Sequence, residues 1–563
     1  MKNTSVSLYE RVEEQVASDV TCAKITYKDG STETVYAFDY QPVKFIYDDE
    51  GFETVEKEGE PYKCIRYTPK CVGEATIVYC SDNENAKTIN VLPSESNGFI
   101  RVSNTDRRYF EYSDGTAYVP IGINMAFPTT YEKHNGNEFG TSGEFCYVGM
   151  KQYERWFRKA SQNGVNMVRV WIGHPYFTPD KDNAYDLDLV QLSKIDELVN
   201  LAKKYGLTLK LTLENFRYFD YDRIADTNSY SDDVFRKFNK KIYMDGQRCE
   251  STEEWITTPK YLDGWLYKVN ELAKRFGDDT SIFAIELWNE MNSIHCPMEK
   301  TLEWNKQVLP KVAEMFPDNM VVNSLGSFES EGVKKTYENF CWDKSSFKQV
   351  HRYLDQGASY EVCHENPLAL LKDACEVLAT DDMPFIAAET GAVNNCHSGP
   401  IKFYINDDDG ILFADCVYTP FFAGSAGCGH IWHWDERYVE AKTLYKMYKP
   451  FTELIDGIDV VNEGFRPSDL STDDAYVLTL NGKSYILGYI RNKTANWRNM
   501  LRDLRDAEII SELKVNIKGA KSVELINIWD DDITVEKSDC DVTFKNINYG
   551  VMFKVALNGG VTV

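Results

Sequence analysis

The sequence predicts an α/β fold, a (β/α)8 barrel flanked by N-terminal and C-terminal β-sandwich domains. Three observations carry that prediction. Short alternating strands fill the first segment, strands then alternate with amphipathic helices over the long middle, and strands alone return in the tail. At 563 residues the chain exceeds what one core organises. We therefore divide it into 1–95 (sandwich), 96–457 (barrel) and 458–563 (second sandwich).

In the first segment the strands are Ala23–Tyr27, Thr34–Phe38, Val43–Tyr47, Tyr62–Tyr67 and Ala75–Tyr79, and Lys28–Ser31 reads as a turn. Gly98 opens a different pattern. The first barrel strand is expected at Tyr118–Ile123, and Met150–Asn163 is a helix stopped by Gly164 before the strand Val165–Trp171. Leu189–Tyr205, stopped by Gly206, leads to the strand Leu207–Leu213. Thr258 and Pro259 mark a capped start whose helix ends at Gly277, before a strand running to Glu290. Met320–Asn323, Phe347–His351, the run into Glu389 and Gly429–Trp434 complete eight strands, and Val439–Leu454 is a last helix. The tail strands are Ala475–Leu480, Ser484–Ile490, Leu513–Ile517, Val523–Ile528 and Val551–Val555.

A formal charge of −26 and a pI near 4.8 argue against nucleic acid or an anionic membrane as partner, because phosphates would be repelled. The amino terminus lacks a basic run followed by an apolar core, so no signal peptide is read. No apolar stretch approaches the ~20 residues needed to span a bilayer. The expected location is the cytoplasm, or outside the cell if a leader was trimmed. The 14 cysteines include no Cys-x-x-Cys pair, so a zinc site is not expected. Cys22, Cys64, Cys71 and Cys80 could form two disulfides in a secreted protein; without a leader, reduced thiols are the expectation.

Two segments carry chemistry. Ser281–Glu290 and Met383–Gly391 each run an apolar strand into a carboxylate. The acids stand about 100 positions apart, roughly three strand-helix units of 30 or more residues, which places them on the fourth and seventh strands facing one cleft. Two carboxyls can supply both a proton for a departing glycosidic oxygen and electron density for an oxocarbenium-like carbon. Glu290 is expected as general acid and base, on the same strand side as Glu286 and Trp288 by period-two alternation; Glu389 is the expected nucleophile. A separation near 5 Å would retain anomeric configuration and a longer one would invert it. Each glutamate taken singly also reads as a rim acid paired with a neighbouring cation.

Trp288-Asn289-Glu290, His351-x-Tyr353, Glu389 and the Trp432/Trp434 strand resemble the signature of clan A glycoside hydrolases, most like family 5. The resemblance implies that Arg169 hydrogen-bonds the nucleophile and that Asn289 binds the sugar 2-hydroxyl. It also implies that His351 and Tyr353 line the subsite and that Trp432 or Trp434 stacks under the sugar. The residues agree on physical grounds. Arg169 lies within the apolar Met167–Trp171 strand, where a buried guanidinium demands an anion, and an indole offers a flat apolar face. Gly98–Ser103, Arg108–Phe110, Asp114-Gly115 and Val119–Asn124 are similar to the opening of family 5-like barrels preceded by an immunoglobulin-like domain, and Ile65–Pro69 and Gly73–Tyr79 resemble that domain. One departure is Leu213-Glu-Asn-Phe216, where many members carry a histidine.

His174, Trp171, Asn215 and Asn124 fall at expected strand ends and are candidates for sugar contact. The long stretches 127–147 and 217–255 are expected to wall off subsites and favour exo action on short oligosaccharides. The reading is a retaining β-glycosidase for gluco- or manno-type oligosaccharides, cellulase- or mannanase-like, with no metal or organic cofactor. Its competitors are an apiosidase, galactosidase or galactofuranosidase, and a non-catalytic carbohydrate-binding protein.

Overall fold

The computed structural model describes residues 4–81, 85–128, 130–132, 145–174, 176–181, 183–215, 243–244, 246–340, 342–529 and 532–558. At its centre β1 (Gly122–Asn124), β2 (Met167–Trp171), β3 (Thr208–Thr212), β4 (Ile282–Glu286) and β5 (Met320–Val322) pair side by side in parallel. β6 (Lys348–Leu354) pairs with β7 (Phe385–Ala392). Ser346 stitches β5 to this pair by exchanging hydrogen bonds with Val321. The eighth position is a single residue: Ile431 bridges in parallel to both Thr390 and Ile123 and closes the ring. The expected strand Gly429–Trp434 is thus reduced to one ladder residue, since two tryptophans and two histidines there have side chains that must fit elsewhere.

The helices follow the strands in turn: α1 (Met150–Gln162), α2 (Leu189–Lys204), α3 (Pro259–Phe276), α4 (Met298–Met315), α5 (Glu331–Asn339), α6 (Pro367–Leu378), α7 (Ile411–Phe422) and α8 (Tyr448–Ile455). Helices outside and side chains inside bury both faces of each strand, which is why β2 reads as an almost unbroken apolar run. α1 buries Tyr153, Trp156, Phe157 and Ala160, a spacing that repeats every three or four residues. Asp188 caps α2 through Val190 and Gln191, and Asn366 caps α6 through Ala369. Thr258 makes no side-chain cap to α3; proline at the first turn supplies the start instead. Gly164 (φ 91°) and Gly206 (φ 65°) end α1 and α2 in the left-handed region that a β-carbon disfavours.

Three expectations need correction. Ala117–Tyr118 belongs not to the barrel but to an antiparallel sheet with Ile100–Val102 and Phe110–Tyr112. Phe110 from that sheet meets Phe283 and Phe347 edge-on at 5.2 and 5.6 Å, at the N-terminal ends of β4 and β6. The sheet therefore plugs the lower mouth and leaves the C-terminal mouth for chemistry. The last helix begins only at Tyr448, because residues 439–447 turn through short irregular loops and a 3₁₀ segment. The period-two alternation past β4 also fails: the strand ends at Glu286, and Trp288 turns outward among Trp255 and Trp304.

Before the barrel, a five-stranded sheet (Thr4–Ser7, Asn85–Leu92, Gly73–Cys80, Cys22–Thr26, Thr32–Tyr36) faces a three-stranded one (Val12–Gln15, Tyr62–Tyr67, Phe38–Tyr40). Ala23, Ile25, Ile65, Tyr67 and Ile77 form the core between them. Cys22 and Cys80 sit opposite one another on neighbouring strands and are joined in a disulfide, with Cα atoms 5.1 Å apart. This overturns the expectation of reduced thiols at that pair; Cys64 and Cys71 remain free. After the barrel, a sheet in the order Arg466–Asp469, Ala475–Asn481, Tyr485–Asn492, Gly550–Leu557, Ala520–Ile526 packs on a three-stranded sheet of Ile510–Asn516, Asp541–Ile547 and Thr534–Lys537. Its other face joins the barrel core, with Tyr489 against Tyr418 and Phe422 of α7. Among the described residues, no helix is long and apolar enough to cross a membrane.

Candidate active site

Strand register assembles the floor. Arg169 on β2 lies beside Asn124 of β1 and Lys210 of β3, and Thr212 of β3 lies beside Glu286 of β4. The guanidinium is fully buried and every nitrogen is used. Nε and Nη2 donate to the two oxygens of Glu286 at 2.6 and 3.0 Å, Nη2 also donates to Asn289 Oδ1 at 2.7 Å, and Nη1 donates to Asn124 Oδ1 at 3.2 Å and to Glu389 Oε1. Asn124 in turn donates to the carbonyls of Ala388, His430 and Ile431. Arg169 and Asn124 are both fully buried beneath the glutamate pair, Arg169 bonded to Glu389, and Asn124, its polar atoms spent on Arg169 and backbone carbonyls, does not take the sugar contact expected of it.

Above this floor stand the two glutamates. Glu389 lies within β7, opposite His351 of β6, where the register shifts by one residue. Tyr353 donates to its Oε2 at 2.6 Å. Glu290 lies four residues past the end of β4 in a left-handed conformation (φ 52°, ψ 59°), its amide donating to Ser324 Oγ at 2.9 Å. Such a backbone is uncommon for a residue with a side chain and is seen at functional sites. His351 Nδ1 lies 2.8 Å from Glu290 Oε1 and 3.5 Å from Glu389 Oε2. Oxygens of the two carboxyls approach within 4.8 Å.

The surroundings differ enough to separate the two acids. Burial, and then the charge of Glu389, push Glu290 up to about 8. Burial also raises Glu389, but Arg169 and the Tyr353 hydroxyl act the other way. The Arg169 and Tyr353 donors thus favour the ionised form of Glu389 over that of Glu290. Burial and the neighbouring Arg169 hold His351 well below the usual histidine range, so its ring is neutral. Such a pair can protonate one atom while offering electron density to its neighbour.

The two candidate tryptophans differ in burial. Trp434 is wholly buried against Phe127 and Trp156, whereas Trp432 is half-buried and lies 5.1 Å from the Trp171 ring. His174 is buried in a stack on Phe127 at 4.9 Å with Nδ1 accepting from the Tyr176 amide, which removes it from the glutamate pair. Asn289 keeps its amide nitrogen without a hydrogen bond among the described residues, while its oxygen serves Arg169. Asn215 is buried at the end of the third strand. The wall-forming role expected for 127–147 and 217–255 falls largely on 133–144 and 217–242, outside the described residues.

A second polar group sits on the rim. His397 Nε2 meets Glu329 Oε1 at 2.7 Å, its amide donates to Asp355 at 3.2 Å, and its ring stands edge-on to Tyr353 at 5.1 Å. Burial would lower His397, but Glu329 and then Glu290 lift it to about 8. Glu290, His351 and Glu389, and likewise Glu329, Asp355 and His397, each bring one nitrogen or oxygen atom per residue to within 4.8 Å of the others. A separate cavity of about 590 Å³, lined by Tyr9, Arg11, Lys203, Thr208 and Ser281, opens at the N-terminal ends of β3 and β4. It is at the wrong end of the barrel for these carboxylates.

Sequence reading missed Lys210, Gln349 and Thr212 under the site and gave Glu286 a strand face but no role. Lys210 and Glu286 each interrupt an apolar strand with a charge, the same signal that marked Arg169. Glu329, Asp355 and His397 come from loops after three different strands, and no local pattern announces them.

The family model of the cellulases, glycosyl hydrolase family 5, matches residues 130–410. Among solved structures, a protein assigned to the glycoside hydrolases from Bacteroides vulgatus ATCC 8482 is 14% identical, with 99% of this chain and 100% of that chain covered and a TM-score of 0.57. A glycoside hydrolase family 5 protein from the same organism is 12% identical over 82% of this chain and 94% of its own, with a TM-score of 0.53. A further structure described as a glycoside hydrolase is 12% identical, covering 83% and 98%, with a TM-score of 0.50. At these identities the likeness is one of fold. Comparison with curated proteins gives no significant match.

Proposed function

Since residues 130–410 form a glycosyl hydrolase family 5 domain and the chain is a glycoside hydrolase, we propose that it cleaves β-linked gluco- or manno-type oligosaccharides with retention of anomeric configuration. The observation that carries this reading is the approach of the Glu290 and Glu389 oxygens to within 4.8 Å. That span leaves no room for a water between acid and base on opposite faces of a ring, as inversion needs, and matches the ~5 Å of double displacement.

In the proposed first step Glu290 gives its proton to the glycosidic oxygen as the bond to C1 breaks. Glu389 attacks C1 from the other face and forms a glycosyl ester. In the second step Glu290, now ionised, takes a proton from water, whose oxygen attacks C1 and releases Glu389. Arg169 and Tyr353 aim the nucleophile, and each holds one of its oxygens. The Asn289 amide nitrogen can donate to the 2-hydroxyl, and Trp432, the less buried of the two tryptophans, can offer its ring for stacking. The gluco-type reading leans on the cellulase description of the matched family, and the manno-type alternative on the family 5 resemblance of the motifs alone. The division into 1–95, 96–457 and 458–563 and a soluble oligosaccharide as partner belong to the same proposal.

The test is the anomer first released. Proton NMR of an early digest of an aryl β-glucoside or β-mannoside should show the β-anomer appearing before mutarotation. Initial release of the α-anomer would overturn the mechanism, and binding without any product would favour a non-catalytic role.

A further inference from the structure

We propose that Glu286 is a positioning residue that divides the Arg169 guanidinium with Glu389, so that Arg169 aims the nucleophile without fully neutralising it. This rests on the reading of Glu389 as nucleophile. The geometry is unequal. Glu286 receives two guanidinium bonds, at 2.6 and 3.0 Å, and Glu389 receives one. Thr212 Oγ1 and Gln349 Nε2 fix the same Glu286 carboxylate at 2.7 and 3.0 Å, and Lys210 Nζ lies 3.6 Å away.

Arg169, Lys210, Thr212, Glu286 and Gln349 are all sealed from solvent, so their charges act on Glu389 with little screening. One cation bonded to a single buried carboxylate would hold it firmly ionised and weakly basic. Glu286 takes up much of that cation, and its own charge adds to the forces that raise Glu389. Lys210 works in the opposite sense, being close enough to feel both Glu286 and Glu389 while burial pulls it down to about 7. A purely structural ion pair would account for burial and pairing but not for any effect on how Glu389 titrates.

The experiment is the pH dependence of kcat/KM for a 2,4-dinitrophenyl β-glucoside or β-mannoside on the full chain, with Glu286→Gln and Lys210→Met. A 2-deoxy-2-fluoro glycosyl fluoride labels the nucleophile in parallel. Glu286→Gln should move the acidic limb down by roughly one pH unit and slow turnover about tenfold, because the whole guanidinium then bears on Glu389. Lys210→Met should move the limb up. In folded variants, limbs that coincide with wild type overturn the inference even where rates fall. If Glu286→Gln is not recovered folded, Lys210→Met decides alone, and a limb that stays or falls overturns it. A fluoro-sugar adduct on a residue other than Glu389 overturns the nucleophile assignment and this inference together. An adduct on Glu389 with unmoved limbs overturns this inference only.

Discussion

Tyr353 donates its hydroxyl to Oε2 of Glu389 at 2.6 Å, while Arg169 donates to the other oxygen. Both donors favour the ionised carboxylate, and neither reaches Glu290. The asymmetry sets a direction for pH dependence. On the proposed mechanism turnover requires Glu389 ionised and Glu290 protonated, so kcat/KM should fall as pH rises through the raised value of Glu290, about 8. With an activated leaving group, Glu290→Ala should lose that basic limb. A profile flat from pH 6 to 10 in the wild type would contradict the assignment.

The two acids should also fail differently. If Glu389 is the proposed nucleophile, Glu389→Gln removes the attacking atom, and turnover of any aryl glycoside should drop by more than about 10⁴-fold. Glu290→Ala should leave glycosylation by a dinitrophenyl leaving group nearly intact but slow hydrolysis of the ester by roughly 10²–10⁴-fold, with a pre-steady-state burst and rescue by azide. Stopped-flow release of the phenol reads both. A burst in Glu389→Gln would exchange the roles.

The barrel was legible from apolar runs that recur with amphipathic helices between them, and Glu290, Glu389 and Arg169 from charges lodged in those runs. What escaped has physical causes. Trp288 was expected beside Glu290, but alternation holds only while a chain stays in a strand, and this one leaves it at Glu286. Cys22 and Cys80 lie 58 residues apart, and only the pairing of their strands brings them together. His397 reaches the site through loops whose geometry no local spacing encodes.

Trp432 and Trp434, indistinguishable by alternation, should now separate. Trp432 is half-buried beside Trp171, so Trp432→Ala should raise KM about tenfold with little change in melting temperature, the loss of a stacked ring face. Trp434 is sealed among Phe127, Trp156 and Trp432, and Trp434→Ala should cost roughly 3–5 kcal/mol of stability. Urea titrations and KM measured on the same preparations check both. Equal effects on both quantities would contradict the distinction.

The Cys22–Cys80 disulfide ties two adjacent strands across a loop of 58 residues. Replacing both cysteines by serine should destabilise the front sandwich by about 2–4 kcal/mol, chiefly by freeing its unfolded chain. Activity in the folded double variant should equal wild type, because the pair is remote from the glutamates. Calorimetry under non-reducing conditions, with wild type plus reductant as comparison, measures the difference. Coincident transitions in all three samples would show that the bond contributes nothing.

Asp196 on α2 is one of several side chains that join the front sandwich to the barrel, beside Asp279, which pairs with Arg11, and Asp318, which pairs with Lys70. Asp196 accepts from Arg275 of α3 at 2.8 Å and pairs with Arg66 of the Tyr62–Tyr67 strand at 2.5 Å, all three side chains being nearly sealed from water. Phe38 packs against both guanidinium groups, at 5.0 and 4.4 Å. Removing the carboxylate strands two buried cations, so Asp196→Ala should cost about 3–5 kcal/mol, more than any exposed ion pair is worth. Asp196→Asn keeps hydrogen-bond acceptance and should cost less. If the seam holds the sandwich on the barrel, limited proteolysis of Asp196→Ala should release the front sandwich before the barrel is cut. Cleavage of both at one rate would mean that they unfold as a single unit.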